Sequence, residues 1–451
     1  MHNSISRKEA IKVSSIAFII AMISIMWMIQ PAFSFARAGY ITLLGLIICT
    51  VIARYTNFNN FVISNLFKDP IFYFILLLGI SYIASSLIYS DRDRLVMGIT
   101  IGLIMPICSS ILNRDFEKKI FLCGFTIGNV IAFFFLFFAS LFFAPKIYTG
   151  QYYSILLNPN GLSTALLPML ISSLYLLEIN RKKGKKIKVV LHLIILSFIV
   201  SFLILSMSRT GLLSFVGVLL IYLLYLLINT RNKMYTLKMV FIIMFLSYLA
   251  FSISSLAVTN FSVNILKYRA MNTNKVYVFN QENSGYLDSK EVLNSIKCKK
   301  YKSVESSLEG DLEKRLSKGS RTGEDVSSGR VSIWKASIDQ LNFKGHSRYD
   351  YFYVPERDIN TNDTHNIYLD MGYFLGIPSI IFMIVIMIFN IYRSLNSFIK
   401  GWDTKYISEL QLLSTFVVTA FFILSMLASV YNPIGTIIGM IFWIISCWKS
   451  I

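Results

Sequence analysis

Apolar residues run along this 451-residue chain in long blocks separated by short polar breaks. A bilayer core takes about 20 apolar residues as a helix. Stretches near that length fall at 11–29, 38–53, 70–90, 95–112, 120–144, 161–179, 189–207, 211–229, 239–256, 367–391, 410–429 and 432–448. Backbone N–H and C=O groups must be satisfied within each segment when lipid surrounds it, so the blocks predict helices. The expectation is an all-α polytopic membrane protein of about twelve transmembrane helices. Helices one to nine lie in 1–256, one large extracytoplasmic loop domain in 257–366, and helices ten to twelve in 367–451.

Composition strengthens this reading. The chain is 55% hydrophobic and only 15% charged, whereas soluble domains carry roughly a quarter charged residues. A net charge of +19 would suit a nucleic-acid partner, but the excess is scattered among loops instead of gathered on one face, so no nucleic acid is expected. The cations alternate sides instead. With the N-terminus inside, cytoplasmic loops hold Arg54 and Lys68, then Arg114, Lys118 and Lys119, then six cations between Arg181 and Lys188. Arg231, Lys233, Lys238, Arg393, Lys400, Lys405 and Lys449 complete that side, while Arg37, Arg92, Arg94, Lys146 and Arg209 are left for the short loops opposite. Both termini are therefore placed in the cytoplasm. Arg7 and Lys8 before the first block look like the start of a signal peptide, and Ala36-Arg37-Ala38 loosely resembles a cleavage site. The block is long enough to span, so an uncleaved first helix is expected.

Cysteines and histidines narrow the chemistry. Cys49, Cys108, Cys123 and Cys447 lie inside apolar blocks and Cys298 is alone in the long loop, which excludes a disulfide framework. His2, His192, His346 and His365 have neither i, i+4 pairing nor a cysteine partner, so no metal site is expected. Asp91-Arg92-Asp93-Arg94 contains Asp-x-Asp, a spacing some glycosyltransferases use for a divalent metal. It reads instead as a solvated, self-paired outer loop, since isolated carboxylates hold Mg²⁺ poorly.

The loop 257–366 divides into two parts. From Gln281 to Val326 it is polar with interleaved Lys and Glu, which suggests a solvated helix pair or a mobile segment. From Gly329 to Asp363 it carries Trp334, Phe343, Tyr349, Tyr351, Phe352 and Tyr353, enough aromatic area to pack on the membrane domain or on a ligand. Three polar motifs interrupt or adjoin apolar blocks. Ser208-Arg209-Thr210-Gly211 puts Arg209 at the outer interface, where its guanidinium can fork onto phosphate oxygens or simply snorkel to water. Arg330 follows Gly329 and precedes Trp334 at helical spacing. His365-Asn366 enters the top of an apolar helix, where an imidazole suits a general base or merely packs. Asp363 is a neighbour that could orient the imidazole, but adjacency in sequence does not by itself show it. Asn158-Pro159-Asn160-Gly161 reads as a turn before the sixth helix, and Asn158 and Asn160 with neighbouring tyrosines also suit sugar hydroxyls.

In this order and on this topology the motifs resemble the O-antigen ligase and O-antigen polymerase superfamily of bacterial inner-membrane glycosyltransferases. The resemblance rests on Ser-Arg-Thr-Gly at 208–211, the large loop before the last helices, Gly-Arg-x-x-x-Trp at 329–334, and His-Asn-x-x-Leu with Gly-Ile-Pro at 365–378. It covers roughly 155–390. It implies metal-independent, inverting transfer of a glycan from undecaprenyl diphosphate to an acceptor hydroxyl, with no cofactor. Arg209 and Arg330 would bind the diphosphate and His365 would activate the acceptor. Ser208, Trp334, Asn366, Asn158 and Asn160 are the candidates for binding substrate. The implied partners are the lipid-linked glycan, a glycan or lipid A-core acceptor, membrane lipid and a chain-length regulator. A repeat-unit polymerase is the leading expectation and a ligase onto lipid A-core the alternative. A polysaccharide or ion transporter is the alternative of another class, against which stands the lack of an internal repeat. A non-catalytic length regulator is disfavoured because no heptads run through 257–366.

Overall fold

The computed structural model describes residues 6–33, 38–54, 63–112, 114–144, 152–156, 158–230, 233–278, 285–298, 330–427 and 436–448. Ten helices among them are long and apolar enough to cross a membrane, and two shorter apolar ones, Gly39–Arg54 and Ile437–Ser446, accompany them. In chain order the helices are α1 Arg7–Phe33, α2 Ala38–Arg54, α3 Pro70–Tyr89, α4 Arg92–Ile111, α5 Asp115–Phe143, α6 Pro159–Lys182, α7 Lys186–Ser206, α8 Arg209–Asn229 and α9 Lys233–Asn272. After them come α10 Ser289–Cys298, α11 Arg330–Asp339, α12 Ile367–Leu375, α13 Ile377–Thr404, α14 Glu409–Leu427 and α15 Ile437–Ser446. Among the described residues the fold is all-α apart from two short hairpins. Strand β1 (Lys275–Val278) pairs antiparallel with β2 (Gly285–Asp288), Lys275 opposite Asp288, and β3 (Phe352–Val354) pairs with β4 (Ile359–Thr361), Phe352 opposite Thr361.

Helix starts follow local chemistry. Asp69 precedes Pro70 and its carboxylate accepts from the Ile71 N–H at 3.2 Å; Asn158 precedes Pro159 in the same way and caps α6. Close helix contacts use missing side chains: Gly79 of α3 faces Gly98 and Gly102 of α4, and Gly124 and Gly128 of α5 lie against Ile16, Ala17 and Ile20 of α1. α6 is the centre of the bundle, almost wholly buried, and packs on α5, α7, α8 and α14.

Two predicted boundaries shift. The block 239–256 is only the middle of α9, which runs on through a π turn at Ala257–Phe261 to Asn272, so the helix crosses the expected start of the loop domain unbroken. The block 367–391 is two helices, not one. Gly376 has φ +93, and Pro378 sits in the first turn of α13, so the chain turns between a short buried α12 and a full-length α13. Within the polar stretch 281–326, residues 285–298 form β2 and α10; the remainder, where the helix pair was expected, lies outside the described residues, as do 34–37 and 145–151 with Arg37 and Lys146.

The two ends of the bundle differ. One end holds Arg7, Arg54, Asp69, Lys118, Lys182 and Trp448. There Arg393 forks onto Asp69 at 2.6 and 2.7 Å and donates to the Ser446 carbonyl at 3.0 Å, while Lys182 pairs with Glu409 at 2.8 Å. Below that surface Glu178, fully buried, is held by Arg181 at 2.6 Å and the Tyr225 hydroxyl at 2.8 Å. The other end carries the described parts of the stretch from Asn272 to Asn366. Its chief tie is Arg94, which donates to the carbonyls of Phe374 at 3.0 Å and His346 at 2.8 Å and lies 3.3 Å from Asp91. The expected solvated, self-paired loop at 91–94 is corrected in part: Asp91 and Arg94 do pair and Arg92 and Asp93 are exposed, but the Asp91 and Arg94 side chains are out of solvent. Asp91 caps α4, and both Asp91 and Arg94 are buried beneath the returning loop, because only there does the guanidinium find several carbonyls.

Candidate functional site

Four helices, α6, α8, α11 and α12, begin at this second end. Ser208 caps α8, its hydroxyl accepting the Gly211 N–H at 3.2 Å, and it also donates to the Asn160 side-chain oxygen at 2.9 Å. Ser163 adds a bond to the same hydroxyl at 3.0 Å. Gly211 is where α8 meets α6: a side chain there would run into Ser163. The Ser-Arg-Thr-Gly motif therefore has a structural logic in which Ser caps, Gly admits the neighbouring helix, and Arg209 is left at the helix start, half-buried. Asn158 spends its side-chain oxygen on the Gly161 N–H, and Asn160 spends its own on Ser208.

The last helices join the same neighbourhood. Thr210 donates to the Leu427 carbonyl at 3.4 Å, and the Asn366 amide reaches the adjacent Met426 carbonyl at 3.4 Å, both at the end of α14. Asn366 is also the cap of α12, accepting from the Tyr368 and Leu369 N–H groups at 3.0 and 3.3 Å. His365, one residue before, has φ +54, an uncommon conformation for a non-glycine residue. Asp363 holds it from one side: its carboxylate accepts the His365 N–H at 2.8 Å and lies 3.3 Å from Nδ1. Trp334 of α11 donates its indole N–H to the Thr364 carbonyl at 2.8 Å, which ties the helix that begins at Arg330 to the turn before His365.

Arg330 reports the electrostatics. Burial and the nearby Arg209 push its guanidinium below the ordinary value, while Asp363 pulls the other way. Arg209, Arg330 and Asp363 therefore share one field, and the helix starts add partial positive charge to it. A site of this kind attracts an anion, and guanidiniums fit paired phosphate oxygens. Among the described residues no group of three or more His, Cys, Asp or Glu lies close enough to hold a metal ion.

All eight residues singled out from sequence fall at this end. Sequence reading missed Asp370, a buried carboxylate of α12 that accepts from the Thr364 N–H at 3.0 Å and hydroxyl at 2.7 Å. The signal was present, because an ionisable residue inside an apolar block is a candidate by default. Arg94 and Thr210 were missed as well, and the α14 carbonyls carried no signal at all. Residues 192–384 match the family described as O-antigen ligase. Neither a curated protein nor a solved structure matches the chain significantly.

Proposed function

We propose that this chain, which its residues 192–384 place in the O-antigen ligase and polymerase superfamily of membrane glycosyltransferases, moves a glycan from undecaprenyl diphosphate to an acceptor hydroxyl as a repeat-unit polymerase. The observation that carries the reading is the meeting of Arg209, Arg330 and the Asp363-His365 pair from three separate parts of the chain.

In this reaction the acceptor oxygen attacks the anomeric carbon opposite the diphosphate. The bond from that carbon to the phosphate oxygen breaks, its electron pair leaves with the lipid diphosphate, and the configuration inverts. Arg209 and Arg330 hold the diphosphate and offset the charge that grows on it. His365, with Nδ1 turned to Asp363, presents Nε2 to the acceptor, takes its proton and passes it to water. Ser208 and Asn366 position the cations and the histidine as helix caps; Trp334 anchors Arg330, and Asn158 and Asn160 border the donor. The leaving group is good, so positioning and charge supply most of the acceleration. The proposed setting is the inner membrane of a bacterium, with a chain-length regulator as a further partner.

The family description, O-antigen ligase, favours a second reading in which lipid A-core is the acceptor. A lipopolysaccharide gel from a deletion strain separates them: core bearing one repeat unit marks the polymerase, bare core the ligase. Purified protein that binds the lipid-linked glycan yet forms no glycosidic bond with either acceptor would end both readings.

A further inference from the structure

A cavity of about 240 Å³ opens between α3, α4 and α12, at the same end of the bundle as Arg209 and His365. Asp91, Asp93, Asp370, Arg94 and Arg348 line it, together with Tyr82, Phe374 and other apolar residues. We propose that this cavity is a subsite for one neutral sugar residue of the acceptor glycan, an inference that rests on the transferase reading above.

Charge is the first argument. The Arg209 and Arg330 neighbourhood sets guanidinium against guanidinium and suits a diphosphate. Here three aspartates and two arginines line one cavity, so acceptors and donors are nearly balanced. A sugar hydroxyl both donates and accepts, and is matched by such a wall better than an anion is. Size is the second, because the volume falls below the roughly 300–1,000 Å³ of pockets for drug-sized ligands and fits one ring, not an oligosaccharide.

The third argument is the division between floor and mouth. Asp91 and Arg94 are buried and already bonded to each other and to the returning loop, with side-chain exposures of 8% and 6%. Arg348 and Asp93 are 44% and 54% exposed and form an ion pair at the mouth, with Arg348 3.7 Å from Asp91. Exposed pairs of this kind hold weakly, so hydroxyls can replace their mutual contact. Finally, Asp370 is part of the cavity wall and also binds Thr364 through two hydrogen bonds, directly before His365. One carboxylate therefore separates a sugar in the cavity from the turn that carries the proposed base.

The test uses the full chain in detergent and the free repeat-unit oligosaccharide, cleaved from its lipid diphosphate by mild acid, as titrant in calorimetry. Without a diphosphate it has nothing to offer Arg209 and Arg330. Wild type and Arg209→Ala are expected to bind it within twofold of each other, and the double variant Asp93→Ala, Arg348→Ala at least tenfold more weakly. Because both altered side chains are exposed, the double variant keeps its fold, and in transfer assays it raises the acceptor KM while kcat holds. Equal binding by wild type and the double variant, no binding by wild type, or loss confined to Arg209→Ala would each overturn the inference. Wild type that transfers glycan with an acceptor KM unmoved by the double variant overturns the subsite alone. Wild type that binds the oligosaccharide at Asp93 and Arg348 but forms no bond overturns the acceptor role together with the transferase reading.

Discussion

Arg330 is repelled by the nearby Arg209 and attracted by Asp363, and a bound diphosphate would relieve that repulsion. Loss of a preorganised electrostatic donor costs on the order of 10²–10³ in rate, so Arg209→Ala and Arg330→Ala are each expected to lower kcat by about that factor. Arg209→Lys keeps the charge without the fork and should fall between them and wild type. His365→Ala is expected to abolish transfer while binding of lipid-linked donor persists, because its proposed work is on the acceptor side. Transfer from purified lipid-linked glycan, at matched protein abundance, measures all four; full activity in the three Ala variants would remove the catalytic roles. These positions were legible because each is a polar break in an apolar block. Asp370 carried a signal as an ionisable residue in an apolar block, but its bonds to Thr364 became legible only once the turn before the helix was built.

Among elements, the turn between α12 and α13 and the start of α4 bear most on the site. Gly376 has φ +93, and a Cβ there would meet the Phe343 carbonyl. Gly376→Ala is therefore expected to cost more than the roughly 1 kcal/mol of an ordinary Gly-to-Ala effect, and to lower the midpoint of thermal unfolding in detergent. An unchanged midpoint would mean that the turn relaxes freely. Arg94→Ala removes the guanidinium that pairs with Asp91 and donates to the carbonyls of Phe374 and His346. Removing one partner of a buried pair costs about 3–5 kcal/mol, so this variant should melt well below wild type, whereas Arg92→Ala, in the neighbouring exposed position, should not. Hydropathy placed α4 correctly but read its first turn as a solvated loop, because the carbonyls that bury Arg94 come from residues 346 and 374.

For the whole molecule, the cation-rich end and the end with the long returning segment are opposite, and Arg7 and Trp448 lie at the first. Reporter fusions are expected to place both termini and 181–188 in the cytoplasm and residue 300 outside; a cytoplasmic signal at 300 would reverse the proposed site of reaction. Transfer is expected to survive EDTA, and activity lost to chelator and regained with Mg²⁺ would return Asp91 and Asp93 to the chemistry. By itself the sequence determined the helical membrane architecture, the near-alternation of sides and the motifs at 208–211, 330–334 and 365–378. Apolar length, charge placement and the cost of unsatisfied backbone in lipid act within one segment or its flanks, and so can be read locally. Only the tertiary structure decided that 367–391 divides at Gly376, that Arg94 and Asp370 are buried, and that Arg209, Arg330 and His365 share one end of the bundle. Those outcomes depend on contacts between residues more than a hundred positions apart, such as Arg94 with Phe374 and Thr210 with Leu427, which no local pattern of hydropathy records.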